Sequence, residues 1–253
     1  MIFARQNSMT TRKDFEIIDA HTHWGPSVTM GMTVSTGTIL GQANECGVQR
    51  IVVFPFPSTA IDDEGINARL LAECRKETRF LPYYCIPEDL RPIPSEKGFR
   101  GGKWHWMKGV QDAASNYQVL EDPGIDCFIE KSEAVDLPIV FEEELSFTES
   151  FAARTNSLKL IIPHLGLLGG DPRDFLKAFR DRRNVYFDTA LASKDSILNF
   201  VNEIGAERIL FGSDIPFGTM RSELDKILTL DISDKEKALI LSGNLKHLTG
   251  IER

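Results

Sequence analysis

The chain has 253 residues, 42% of them hydrophobic and 26% charged, which suffices to bury a large core and fits one domain of α/β-barrel size. Acidic residues outnumber basic ones, 37 to 29, and the net charge of −8 argues against a nucleic-acid partner or an anionic membrane surface. A small-molecule partner is expected instead. Residues 1–14 are polar and aperiodic and read as a loose tail ahead of a barrel domain spanning 15–253. No run approaches the roughly eighteen apolar residues a membrane span needs, and no leader pattern opens the chain. Cys46, Cys74, Cys85 and Cys127 lack metal or disulfide spacing and read as buried free thiols, so the expected location is the cytoplasm.

The first predicted strand is the apolar run that closes in Asp19-Ala20-His21-Thr22-His23-Trp24. Side chains two apart leave a strand on the same side, so His21 and His23 are expected to converge on one point. A loop from Gly25 to Ser35 leads to a helix near Thr38–Gly47. Arg50–Pro55 is a buried second strand, Glu64–Thr78 a helix, and Phe80–Ile86 a third strand. Pro87 to Trp106 reads as a long irregular connection, marked by its prolines and the Gly101-Gly102 pair; a loop of that length is functional or disordered. The fourth strand is predicted at Met107–Gln111, and a helix at Ile125–Val135.

Strand five is Leu137–Glu142, followed by a helix near Ser146–Thr155; strand six is Leu158–His164, with a helix opened by Asp171-Pro172. Strand seven is Asn184–Thr189, with a helix from Ser193 to Gly205, and strand eight is Arg208–Ser213. Helices then cover Arg221–Leu228 and Ser233–Leu248. Eight strands alternating with helices predict a (β/α)8 TIM barrel, whose chemistry sits at the carboxyl ends of the strands. An open doubly wound sheet is the other architecture, but it would carry a glycine-rich loop where His-Thr-His stands.

Those carboxyl ends carry His21 and His23, Glu142, His164 and Asp214, a set of N and O donors suited to a metal. Each has a plainer reading: His164 as a core histidine, Asp214 as a turn former, Glu142–Glu144 as a solvated charge run. In order, Ile17–His23, Leu160–Gly166, Ile209–Pro216 and Ser242–Leu245 resemble motifs of the amidohydrolase superfamily, and within it the amidohydrolase 2 group that includes aminocarboxymuconate-semialdehyde-type decarboxylases. The resemblance implies one divalent metal on His21, His23, Asp214 and a fifth-strand ligand, here Glu142, which stands where relatives commonly carry histidine. The fourth strand departs too, reading Gly109-Val110-Gln111 where a lysine and then a histidine are common in relatives, and the lack of lysine at Gln111 favours one ion over two. Zinc is the first expectation, with manganese or iron as alternatives.

On this reading the metal activates water, Asp214 carries its proton, and His164 polarises the scissile carbonyl or holds an oxyanion. Asp19 is a candidate carboxylate behind the imidazoles. Trp24, Arg100, Trp104, His105 and Arg221 are expected substrate contacts, with core packing as the plainer reading for the aromatics and a helix-face position for Arg221; His247 reads as a surface residue. The expected activity is metal-dependent hydrolysis of an amide, lactone or other ester of a small, anionic molecule. Decarboxylation of an unsaturated or aromatic carboxylate is the alternative, and a barrel that has lost its metal and serves as a binding or structural protein is a third; on any of these readings a homo-oligomer is compatible.

Overall fold

The computed structural model describes residues 15–56, 65–109 and 114–251. The predicted tail, residues 1–14, and the position Gln111 lie outside the described residues. The first strand, β1, is Ile18–Asp19. The segment predicted as a loop after it contains an antiparallel hairpin of β2 (Gly25–Ser27) and β3 (Met32–Val34). Helix α1 (Thr36–Cys46) starts at Ser35, whose hydroxyl accepts from the Thr38 amide, and ends at Gly47 in the left-handed region that glycine enters freely.

Strand β4 (Arg50–Val53), helix α2 (Ile66–Cys74) and strand β5 (Phe80–Cys85) follow as predicted. The fourth barrel strand does not. It is β6, Gly101–His105, inside the stretch read as irregular, and Met107 to Gly109 instead form the turn that leaves it. The glycine pair that looked like loop punctuation is a packing requirement: a Cβ on Gly101 would stand 2.5 Å from the Tyr83 ring. Between β5 and β6 a single 3₁₀ turn, Ser95–Lys97, takes the place of a helix.

The chain continues through α3 (Ile125–Val135), β7 (Ile139–Glu142), α4 (Leu145–Ala152), β8 (Leu160–Ile162) and α5 (Pro172–Phe179). Asp171 caps α5 and Pro172 opens it, as the dipeptide predicts. Then come β9 (Val185–Asp188), α6 (Lys194–Ile204), β10 (Ile209–Leu210), α7 (Met220–Leu228), α8 (Asp234–Ala238) and α9 (Asn244–Thr249).

Eight strands pair in parallel in the order β1-β4-β5-β6-β7-β8-β9-β10. The ring closes where the Ala20 amide donates to the Phe211 carbonyl at 2.8 Å and Thr22 bridges Ile215. This is the (β/α)8 barrel that the alternation of elements predicts. Its core has two layers. Ile18, Val52, Phe54, Tyr83, Val140, Ile161 and Leu210 meet one another from six strands and therefore fill the ring, which Leu245 and Leu248 of α9 plug. The larger layer lies between strands and helices. No helix among the described residues is long and apolar enough to cross a membrane. The four cysteines are free thiols, and Cys127 is exposed where burial was expected.

Candidate metal centre

Four strand ends bring their polar side chains to one point. His21 and His23 leave β1 and place their Nε2 atoms each 3.3 Å from Oδ1 of Asp214. Asp214 follows β10 with a positive φ of 52°, a conformation that costs a non-glycine residue about 1–2 kcal/mol. Its amide donates to the His21 carbonyl at 2.8 Å, and its own carbonyl accepts from Phe217 and Gly218, which hold that strained turn in place. Gly212 makes room: a Cβ there would approach the Cβ of His21 to 2.9 Å. His164 follows β8 with φ 57° and reaches the other oxygen, its Nε2 lying 4.0 Å from Oδ2 of Asp214. Ligand atoms of His21, His164 and Asp214 all lie within 4.8 Å of one another, and all three residues are buried.

The tautomers follow from what lies behind the rings. His21 Nδ1 is 2.7 Å from Oδ2 of Asp188, the last residue of β9. A carboxylate accepts, so Nδ1 carries the proton and Nε2 presents a lone pair to the site. His164 Nδ1 donates to the Ala190 carbonyl at 3.1 Å, with the same consequence for its Nε2. Oδ1 of Asp188 accepts from the backbone amides of His164 and Ala190. One carboxylate thus orients the His21 ring directly and fixes the backbone that carries both His164 and its acceptor, Ala190. Asp19, expected in that role, instead accepts from the amides of His21 and Ser213 and clamps the strand ends. Its burial pushes the Asp19 carboxyl up to about 7.

Buried His21 Nε2 and Asp214 Oδ1 have no hydrogen-bond partner among the described residues. An imidazole lone pair and a carboxylate oxygen facing each other across 3.3 Å repel unless an electrophile lies between them, so this donor set fits a divalent cation. Burial also pulls the His23 imidazole below its ordinary value, which keeps it neutral. Burial raises the Asp214 carboxyl, but its interactions with the His21 and His23 rings outweigh it and leave the group below its ordinary value.

Glu142, at the end of β7, belongs to the cluster but faces another way. Its Oε2 takes the Lys103 ammonium at 2.5 Å and stands 3.3 Å from His105 Nε2, while Oε1 lies 3.7 Å from His164 Nε2. Burial raises Glu142, and its electrostatic interactions with His105 and Lys103 overcome it and hold the carboxyl well below normal. Lys103, only 1% exposed, also sits over the Phe54 ring at 4.8 Å. Lys103 was missed because its strand was assigned elsewhere; in the true strand, Gly101-Gly102-Lys103-Trp104-His105, a lysine and then a histidine do stand in order.

Four of the residues expected as substrate contacts are not brought to the cluster. Trp104 alternates outward from Lys103 and packs on Phe128, Phe141 and Phe151, its indole N–H donating to Glu143 at 2.8 Å. Arg100 precedes β6 and so lies at the amino end of the barrel, opposite the cluster. Arg221 is exposed on α7 beside Glu45, and Trp24 packs into the layer between strands and helices with its N–H on Thr36. His105 does reach the cluster, and the aromatic neighbours of His23 are residues not foreseen: the fully buried Phe56 stacks on it at 4.7 Å and Phe217 meets it edge-on at 5.6 Å. Phe217 is 52% exposed, at the mouth.

A parallel barrel with imidazoles and a carboxylate gathered at the carboxyl ends defines the class of metal-dependent barrel proteins. The chain belongs to the amidohydrolase family: the model of that family, described as Amidohydrolase, matches residues 18–244. A comparison with curated proteins finds no match. Among solved structures, the barrel is similar to an amidohydrolase from Burkholderia multivorans with bound zinc, at 14% identity over 94% of this chain and 100% of that one, TM-score 0.75. It is also similar to 5-carboxyvanillate decarboxylase from Sphingomonas paucimobilis, at 13% identity over 94% and 100%, TM-score 0.74. A third is dihydroxybenzoic acid decarboxylase from Polaromonas sp. JS666 with bound manganese and the inhibitor 2-nitroresorcinol, at 16% over 94% and 98%, TM-score 0.73. At these identities the likeness is one of fold.

Proposed function

We propose that this chain is a metal-dependent decarboxylase of a small aromatic or unsaturated carboxylate. The observation that carries the reading is the pair of imidazoles, His21 and His23, sharing Oδ1 of Asp214 beside the half-exposed ring of Phe217. His21, His23 and Asp214 would hold one divalent cation, zinc or manganese, as the donor set and the metals named for two fold relatives support. When bound, that ion supplies a positive charge that draws in an anionic substrate and withdraws electron density from it. Glu142 is engaged by Lys103 and His105, and we assign it to orienting those two groups instead of to the ion.

Loss of carbon dioxide requires a proton on the carbon that loses the carboxylate, so R–COO⁻ and H⁺ become R–H and CO₂. His164 is the residue we assign to that proton. Its Nδ1 donates to the Ala190 carbonyl whether the ring is neutral or charged, so Nε2 can gain and lose a proton without the ring turning. Oδ2 of Asp214 and Oε1 of Glu142 flank that nitrogen. Phe217, half-exposed at the mouth beside His23, offers a planar substrate an apolar surface, which favours an aromatic acid over a flexible amide or lactone. Two fold relatives are decarboxylases, which adds support to this alternative over the hydrolysis first expected. The free cysteines support a reducing, cytoplasmic setting.

The test is carbon dioxide release from a panel of hydroxybenzoates and muconates by protein loaded with manganese or zinc. Metal-dependent release from at least one acid is expected. Cleavage of amides, esters or lactones without any release of carbon dioxide would return the chain to the hydrolase reading.

A further inference from the structure

At the amino end of the barrel, where β4, β5 and β6 begin, a cavity of about 320 Å³ opens beneath Ile251. Arg50, Arg75, Lys97 and Arg100 line it, and no acidic side chain among the described residues does. None of the four makes an ion pair with a described residue, whereas Arg173 pairs with Asp171 and Lys159 with Asp136. In a chain with eight excess negative charges, four cations gathered without counter-ions create a local field opposite to that of the whole molecule. Leu71, Phe80 and Pro82 form an apolar wall beside them. The cations come from the start of a strand, the end of a helix, a 3₁₀ turn and the residue before another strand, so only the fold assembles them.

We infer that this amino-end cavity is a binding site for a small organic polyanion, a phosphate monoester or a polycarboxylate, separate from the site at the carboxyl ends. Arginine forks hold phosphate or carboxylate oxygens in pairs, and the cavity is of the size that takes a small ligand. The inference rests on the fold and the lining residues and stands whether or not the chain decarboxylates anything.

Isothermal titration of the full chain with phenyl phosphate and with citrate tests it. Saturable binding of one equivalent is expected for at least one of them, weakening as salt is raised. Lys97→Glu with Arg100→Glu should weaken it about tenfold or more, the worth of lost charge-assisted bonds, and Arg75→Glu on a different element should weaken it as well. These side chains are exposed, and unchanged melting of each variant checks that folding is intact. His21→Ala with His23→Ala should leave this binding in place. The inference is overturned if neither probe binds the wild type, if the charge reversals leave affinity unchanged, or if the histidine variant alone abolishes binding.

Discussion

The two ends of this barrel treat charge in opposite ways. At the carboxyl ends, histidines, a lysine and carboxylates are buried and lean on one another: His21 is held by Asp188, His164 by Ala190 and Glu142 by Lys103. At the amino end Arg75, Lys97 and Arg100 stand in water without partners among the described residues. Buried polar atoms without partners are costly and call for a resident ion, whereas solvated cations cost little and suit a ligand that comes and goes. The contrast explains why the chemistry is placed at one mouth of the ring only.

The largest effect should come from the buried end. Replacing His21 and His23 together by alanine removes two donors and should leave protein that retains no metal while its circular dichroism is unchanged; a variant that still holds an equivalent by elemental analysis would place the ion elsewhere. Asp188→Asn keeps the shape but reverses the preference at His21 Nδ1, and metal affinity should fall about 10–100-fold in a chelator competition. An unchanged affinity would mean that His21 needs no carboxylate behind it.

A next step is outside the site but beside it. Glu143 accepts from the Trp104 indole, the Met107 amide and the Ser115 hydroxyl, and so ties the exit of β6 to the end of β7. Glu143→Ala should cost about 1–3 kcal/mol in denaturant unfolding for each donor left unpaired, and Glu143→Gln much less. Burial pushes this carboxyl up to about 7. In the unfolded chain it ionises from its ordinary value of 4.5, so the folded state binds more protons in that window. Wild-type stability should therefore fall relative to Glu143→Gln as pH rises from about 4.5 to about 7, by at most about 1.4 kcal/mol per pH unit, and then level off. A difference that stays flat with pH would contradict a raised Glu143. The smallest effect is Arg221→Ala, expected within about 0.5 kcal/mol of wild type and without influence on turnover.

How much of this was legible in the sequence depended on whether the signal was local. β1, β8 and β10 end in short apolar runs followed by His or Asp, and their site residues could be named from that pattern alone. β6 could not, because its two glycines answer to the ring of Tyr83 on the neighbouring strand, a tertiary cause that in one dimension looks like a loop. Shifting that strand by six residues misplaced Arg100 at the wrong end and hid Lys103. Asp188 carried a usable signal, a carboxylate at the end of the seventh predicted strand, but its work is to orient other residues, and that is visible only when His21 lies 2.7 Å away.

The sharpest experiment is anomalous diffraction from crystals grown with manganese. A single peak bounded by His21 Nε2, His23 Nε2 and Oδ1 of Asp214 is the expected result. A fully loaded protein whose only peak lies away from those three atoms would contradict the metal centre, and with it the decarboxylase.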